Sequence, residues 1–215
     1  MKHSIVYSEY SKENLSLIED LIQKNHGKLN EYVSQLHWWN KKVNLISRDV
    51  SHETLMEHVA HSLLLSQLEV FKKSTSIIDT GSGGGLPGLP LAICYPDKKF
   101  VLNDIVAKKM MAVKQMAIKL GVKNVGVNTG SIAKMEIKSS DLLVSKHAFK
   151  VFELIDFIRE SSWEQVLFLK GEIEAVEEIN NTEIPLSATI INLDRVLSTD
   201  FYKGKAIVHV TKINE

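Results

Sequence analysis

The sequence predicts an α/β fold: a doubly wound, mostly parallel sheet of seven strands with an N-terminal helical extension. Three observations lead there. From residue 76 onward short apolar runs alternate with helical segments, and that alternation builds parallel sheets. From about Ser11 to Leu68 the apolar residues keep helical spacing instead. Between the first run and its helix lies Asp79-Thr80-Gly81-Ser82-Gly83-Gly84-Gly85-Leu86-Pro87-Gly88. So many glycines carry an entropic cost that a plain turn does not need, so the loop is expected to let a ligand approach the main chain.

Each element follows from local pattern. Leu15, Ile18, Leu21 and Ile22 form one helical stripe; Leu55, Val59, Ala60, Leu63 and Leu64 form another behind Ser51, a capping residue type. Lys72-Lys73-Ser74-Thr75 is a polar joint, so the chain is read as a helical extension over 1–70 and a sheet domain over 71–215. The expected strands are Ser76 to Asp79, Phe100 to Asn103, Val125 to Asn128, Asp141 to Ser145, Val166 to Lys170, about Thr189 to Leu193, and Ala206 to Lys212. Met110, Val113, Ala117 and Leu120 mark the helix after the second run, and Gly121 stops it. No helix fits between the last two runs, which predicts an antiparallel hairpin at the end of the sheet.

Composition narrows the class. The 215 residues are 44% apolar and 24% charged, as in ordinary globular proteins. Cys94 is the single cysteine, which excludes an internal disulfide and a cysteine-rich metal cage. The N-terminal segment Met1 to Glu9 has no apolar signal core and no stretch is long enough to span a bilayer, so a soluble, cytoplasmic protein with no membrane partner is expected. With 26 basic and 26 acidic residues no global field attracts nucleic acid, although Lys41-Lys42, Lys108-Lys109 and Lys203 with Lys205 are local candidates for phosphate.

Three cofactors use a strand, a glycine-rich turn and a helix. A nucleotide triphosphate loop would close on Gly-Lys-Ser/Thr, and here Leu89-Pro90 follow Gly88. A dinucleotide site fits Gly83, Gly85 and Gly88 in spacing only. Counted from Gly81, Leu86 falls where the third glycine belongs. S-adenosylmethionine (SAM) fits better. Asp79 ends the strand two positions before Gly81 and offers a carboxylate to an ammonium group, while Gly81, Ser82, Gly83, Gly84 and Leu86 wrap the nucleoside-bearing amino acid. Asp104, at the tip of the second strand, is suited to the two hydroxyls of a ribose.

These residues resemble the bacterial 16S rRNA guanine-7 methyltransferase family, also called glucose-inhibited division protein B (RsmG/GidB). The resemblance runs through Trp39-Asn40-Lys41-Lys42-Val43-Asn44-Leu45-Ile46-Ser47, His58-Val59-Ala60-His61-Ser62-Leu63, the whole loop from Asp79 with its Pro87-Gly88-Leu89-Pro90 ending, Asp104 with Lys108-Lys109, Gly121 with Asn124-Val125, and Leu169-Lys170-Gly171 ahead of Glu177-Glu178. It implies a SAM-dependent methyl transfer to nitrogen 7 of a guanine in 16S ribosomal RNA or the small ribosomal subunit, a Rossmann-like SAM fold, backbone contacts to adenine at Ser131 and Ile132, and no metal. The chain is expected to act as a monomer. Two positions depart from the family pattern: Ser131 stands where an arginine is usual, and Lys146 follows Ser145 where Ser-Arg-Ala is usual. His61 also stands where the family more often has aspartate.

Guanine nitrogen 7 carries a lone pair and no proton, so the transfer needs no general base, and the chain offers no Ser/His/Asp or Cys/His constellation. No Pro-Pro-aromatic motif follows Ser145, as methylation of an exocyclic amine would ask. Lys146, at the carboxyl end of its strand, is the residue expected to position substrate. His58 and His61 have helical metal-ligand spacing but no third ligand, and fit a domain seam better. Trp38-Trp39 fit a core anchor better than a base platform. Two other functions stay open on sequence alone: a SAM-binding RNA or ribosome-binding paralogue with weakened catalysis, and a nicotinamide-dependent oxidoreductase.

Overall fold

The structure, a computed structural model, describes residues 3–47, 50–197 and 199–213. Met1 and Lys2 of the N-terminal segment read above, and the outermost residues of the two expected domains, lie outside it. The chain runs β1 (Ser4–Ser8), α1 (Lys12–Lys24), α2 (His26–Asn40), α3 (His52–Leu63), α4 (Glu69–Lys73), β2 (Ser76–Thr80), α5 (Gly88–Cys94), β3 (Lys99–Asp104), α6 (Ala107–Lys119), β4 (Val125–Thr129), β5 (Asp141–Lys146), α7 (Val151–Phe157), β6 (Gln165–Gly171), α8 (Glu172–Asn180), β7 (Leu186–Asn192) and β8 (Lys205–Lys212).

The sheet has the order β1-β7-β8-β6-β5-β2-β3-β4. All pairings are parallel except β8 with its two neighbours. The seven expected strands are present, and the last two form the expected antiparallel hairpin. One element differs: the sheet has an eighth strand, β1, which lies parallel to β7 at the edge, so the hairpin does not end the sheet. Four of its five residues are exposed, so it carries no buried face whose periodicity would mark it.

Central strands are apolar at consecutive positions because helices cover both faces. In β2, Ile77 joins the cluster that contains α5, α6 and the N-terminal helices, and Ile78 joins the cluster of α7 and α8. The same alternation runs through Leu142, Leu143 and Val144, and through Val166, Leu167, Phe168 and Leu169. Leu29, Tyr32, Val33, Leu36 and Leu55 of the N-terminal helices share one core with Leu89, Met110 and Val113. Ser11 and Ser51 cap α1 and α3 by accepting from the backbone N–H groups of Asn14 and Thr54. This packing brings α2 and α3 against the carboxyl end of the sheet.

Candidate functional site

Parallel strands leave the carboxyl ends of β2, β3 and β5 on one edge, and the glycine loop follows the first of these. Asp79 organises the loop from beneath. It is fully buried, and its Oδ2 accepts from the Ser82 hydroxyl (2.7 Å) and the Gly88 N–H (2.9 Å). Its buried Oδ1 has no hydrogen-bond partner among the described residues. Burial drives its carboxyl up to about 7, against the pull of those two donors. The loop also donates from Ser82 N–H to the Asn103 carbonyl (3.0 Å) and from Gly83 N–H to Asp104 Oδ2 (3.1 Å). The N-terminal helices hold it from outside: the Tyr32 hydroxyl donates to the Gly84 carbonyl (3.0 Å).

Glycine is required where the loop turns. Gly81, Gly83 and Gly85 have φ of 70°, 55° and 94°, the left-handed region that side chains resist. A Cβ at Gly81 would collide with Ala148 and meet the Phe149 ring at 3.0 Å; one at Gly88 would meet Asp79 Oδ2 at 2.7 Å. Gly81 and Gly88 thus admit no side chain.

Above the loop opens a cavity of about 720 Å³ lined by Gly81, Ser82, Gly83, Gly84, Leu86, Asp104, Ser131, Ile132 and Lys146, among others. The structure therefore brings nine of the ten expected site residues to one cavity, whereas Asp79 lies beneath the loop and is not in its wall. Asp104 accepts one hydrogen bond on each oxygen, from Gly83 N–H and Val106 N–H, and each oxygen keeps a lone pair for a ligand hydroxyl. The Ser131 hydroxyl accepts from Ala133 N–H (3.3 Å), shaping the short turn that buries Ile132. The close glycine cradle and the acid at the tip of β3 fit a nucleoside carrying an amino acid.

The far wall is basic. Lys146, only 9% exposed, donates to His58 Nδ1 at 2.7 Å. Burial and the neighbouring Lys205 bring its ammonium down to about 7. His147 follows in the left-handed region (φ 52°), a strained backbone for a bulky residue, in the wall of the cavity. Burial together with Lys146 depresses His58 to about 3, His147 to about 4 and His61 well below its usual value, so all three imidazoles are neutral. His61 is completely buried, and among the described residues neither ring nitrogen is hydrogen-bonded. Among the described residues no group of three or more His, Cys, Asp or Glu could hold a metal ion.

Several wall residues went unsingled in the sequence. Ile105 and Val106 directly follow Asp104 and are 73% and 39% exposed; two apolar residues at an open strand end were a legible signal. Phe149 and Phe157 line the same cavity and meet edge to face with centroids 6.2 Å apart. Lys170 is held inside the fold. It is 6% exposed, pairs with Glu178 and donates to the Phe149 carbonyl (3.2 Å), while Glu178 accepts from Val151 N–H (2.8 Å). The spaced Lys170 and Glu178 thus fasten the segment after β5. Trp39 packs on the core, and Trp38 is half exposed beneath the Lys42 ammonium (3.8 Å).

The fold is that of SAM-dependent methyltransferases. A SAM-dependent methyltransferase from Aquifex aeolicus superposes with a TM-score of 0.54 over 74% of this chain and 92% of that one at 13% identity. A tRNA (uracil-54, C5) methyltransferase of Pyrococcus abyssi, solved with S-adenosyl-L-homocysteine, gives 0.52 over 72% of this chain and 38% of that one at 12% identity.

Within that class the family is defined by sequence. Residues 25–200 match the family described as GidB, rRNA small subunit methyltransferase G, and the chain belongs to it. The ribosomal RNA small subunit methyltransferase G of Flavobacterium johnsoniae is 31% identical over 182 residues, 81% of this chain and 85% of the relative. That of Bacteroides fragilis is 33% identical over 178 residues, 80% of this chain and 86% of the relative.

Proposed function

We propose that the chain transfers a methyl group from SAM to nitrogen 7 of a guanine in 16S ribosomal RNA, acting as a monomer in the cytoplasm. The observation that carries this reading is the clamped glycine loop, which opens with Asp104 and Lys146 on one cavity in a member of this family. When bound, SAM supplies an electrophilic methyl group on a positively charged sulfur. Asp104 would accept from the ribose, the backbone at Ser131 and Ile132 would meet the adenine, and Ile105 and Ile132, apolar residues of the same cavity, would offer it an apolar surround. Buried Asp79 shapes the loop that takes the amino-acid end.

The acceptor nitrogen needs its lone pair free, so recognition of the same guanine edge falls on oxygen 6, which accepts hydrogen bonds. Lys146 is the donor suited to it. The neutral state of His58, His61 and His147 keeps further positive charge away from a cationic donor and a product ring that becomes cationic. Catalysis is then alignment and electrostatics, without proton abstraction.

Labelled SAM offered with naked 16S rRNA, and with small subunits from cells lacking the protein, should give 7-methylguanosine in at least one. Asp104→Ala should weaken SAM binding in calorimetry by about 1–3 kcal/mol through lost charged hydrogen bonds. Tight SAM binding with no methyl transfer to either RNA would replace this reading by an RNA-binding role.

A further inference from the structure

We infer that His58 is a positioning residue for the transfer: its imidazole, carried by α3, accepts a hydrogen bond from the Lys146 ammonium and holds that lysine in the cavity wall. What Lys146 does there rests on the proposed methyl transfer; how it is held rests on geometry. Lys146 Nζ lies 2.7 Å from His58 Nδ1 and 3.5 Å from the His58 carbonyl, and among the described residues these are its hydrogen-bond partners. No carboxylate forms an ion pair with it among those residues.

An ammonium only donates, so Nδ1 must accept and the imidazole proton sits on Nε2. The ring is itself fixed, edge-on to Phe201 with centroids 4.9 Å apart. A lysine stem is long and flexible. With two of its three donors on His58, it keeps the third for the cavity that both residues line. The N-terminal helices thereby set where the substrate-side cation of the sheet stands.

The surroundings make this tether matter for charge as well as place. Lys205 on β8, His58 and His61 on α3 and His147 after β5 face the ammonium, and Asp79 on β2 opposes them. Removing the acceptor removes a partner that favours the charged form, so the lysine loses its proton at lower pH.

Two variants separate the acceptor from bulk. His58→Leu fills space without accepting, and His58→Asn places an amide oxygen near the position of Nδ1. We expect His58→Leu to lower kcat on the RNA substrate by about tenfold with SAM affinity unchanged. The alkaline limb of its pH profile should move toward acid, and His58→Asn should recover most of both. Isotope-detected NMR titration of the lysine amines, assigned with Lys146→Arg, reads the pair without substrate. Its signal should titrate lower in His58→Leu by about half a pH unit or more. An unchanged Lys146 titration in His58→Leu overturns the pairing. Equal kinetics in wild type and His58→Leu overturns the positioning role. A wild type that binds SAM but methylates no RNA overturns the reaction instead, and the NMR titration still decides the pair.

Discussion

Asp79 shows what one residue contributes and how much of that a sequence discloses. Its place at the end of a strand before glycines marked it as part of the loop. That its carboxylate faces inward is written in the strand alternation: Asp79 shares a face with Ile77, which packs toward α5 and the N-terminal helices. What no pattern reveals is that Ser82 and Gly88 reach back to it, because those bonds depend on how the loop folds. The buried carboxyl has a pH consequence. Its folded-state value is raised from 3.8 to about 7, so the protonated form is favoured in the fold. The stabilisation is complete below the unfolded value and is lost as pH rises through about 7. Asp79→Asn removes that titration. Urea midpoints at pH 5 and pH 8 should differ less in the variant than in wild type, by up to about 3 kcal/mol in unfolding free energy. An unchanged pH slope would mean that Asp79 does not titrate in this range.

At the scale of elements, the glycine loop and the strands were legible because each has a local cause: left-handed turns demand glycine, and two-sided burial demands apolar runs. The cavity walls beyond the loop were less so, since Phe149, Phe157, Leu45 and Ile46 meet only when separate elements converge. Two glycine substitutions distinguish the loop from ordinary helix. Gly81→Ala adds a Cβ against Ala148 and Phe149 at φ 70°. It should reduce SAM affinity by at least about tenfold in calorimetry, as a loop forced off its geometry no longer aims its N–H groups. Gly27, within α2, has nothing within 4 Å of an added Cβ. Gly27→Ala should leave SAM binding alone and stabilise the fold by about 0.4–1 kcal/mol, read as a higher urea midpoint. Equal SAM affinity in the two variants would remove the loop from the binding account.

For the whole molecule, the sheet's closure is the part least visible in the sequence. β7 has a row of buried residues, Leu186, Ala188, Ile190 and Ile191, and an edge that would stand open were it the last strand. The parallel register Ser4 with Ser187 through Ser8 with Ile191 covers that edge with a short strand whose own residues are mostly exposed. Protection of an edge leaves no hydrophobic signature, because its contribution is in main-chain pairing and not in burial. Tyr10 anchors the same segment by donating from its hydroxyl to the Leu64 carbonyl (2.8 Å) inside the helical layer. Removing residues 1–8 while keeping Tyr10 therefore strips the cover and leaves the anchor. The shortened chain should bind SAM, because the cavity lies across the sheet at β2, β3 and β5. It should also unfold at lower urea and form concentration-dependent oligomers through β7 in light scattering. Lysine introduced at Ala188 would neither mend nor expose the edge, since that side chain is buried, so a repair must restore main-chain pairing. A synthetic peptide of residues 1–8 added in excess supplies that pairing and should reduce the oligomers. A shortened chain that stays monomeric with an unchanged midpoint would show that β7 needs no cover.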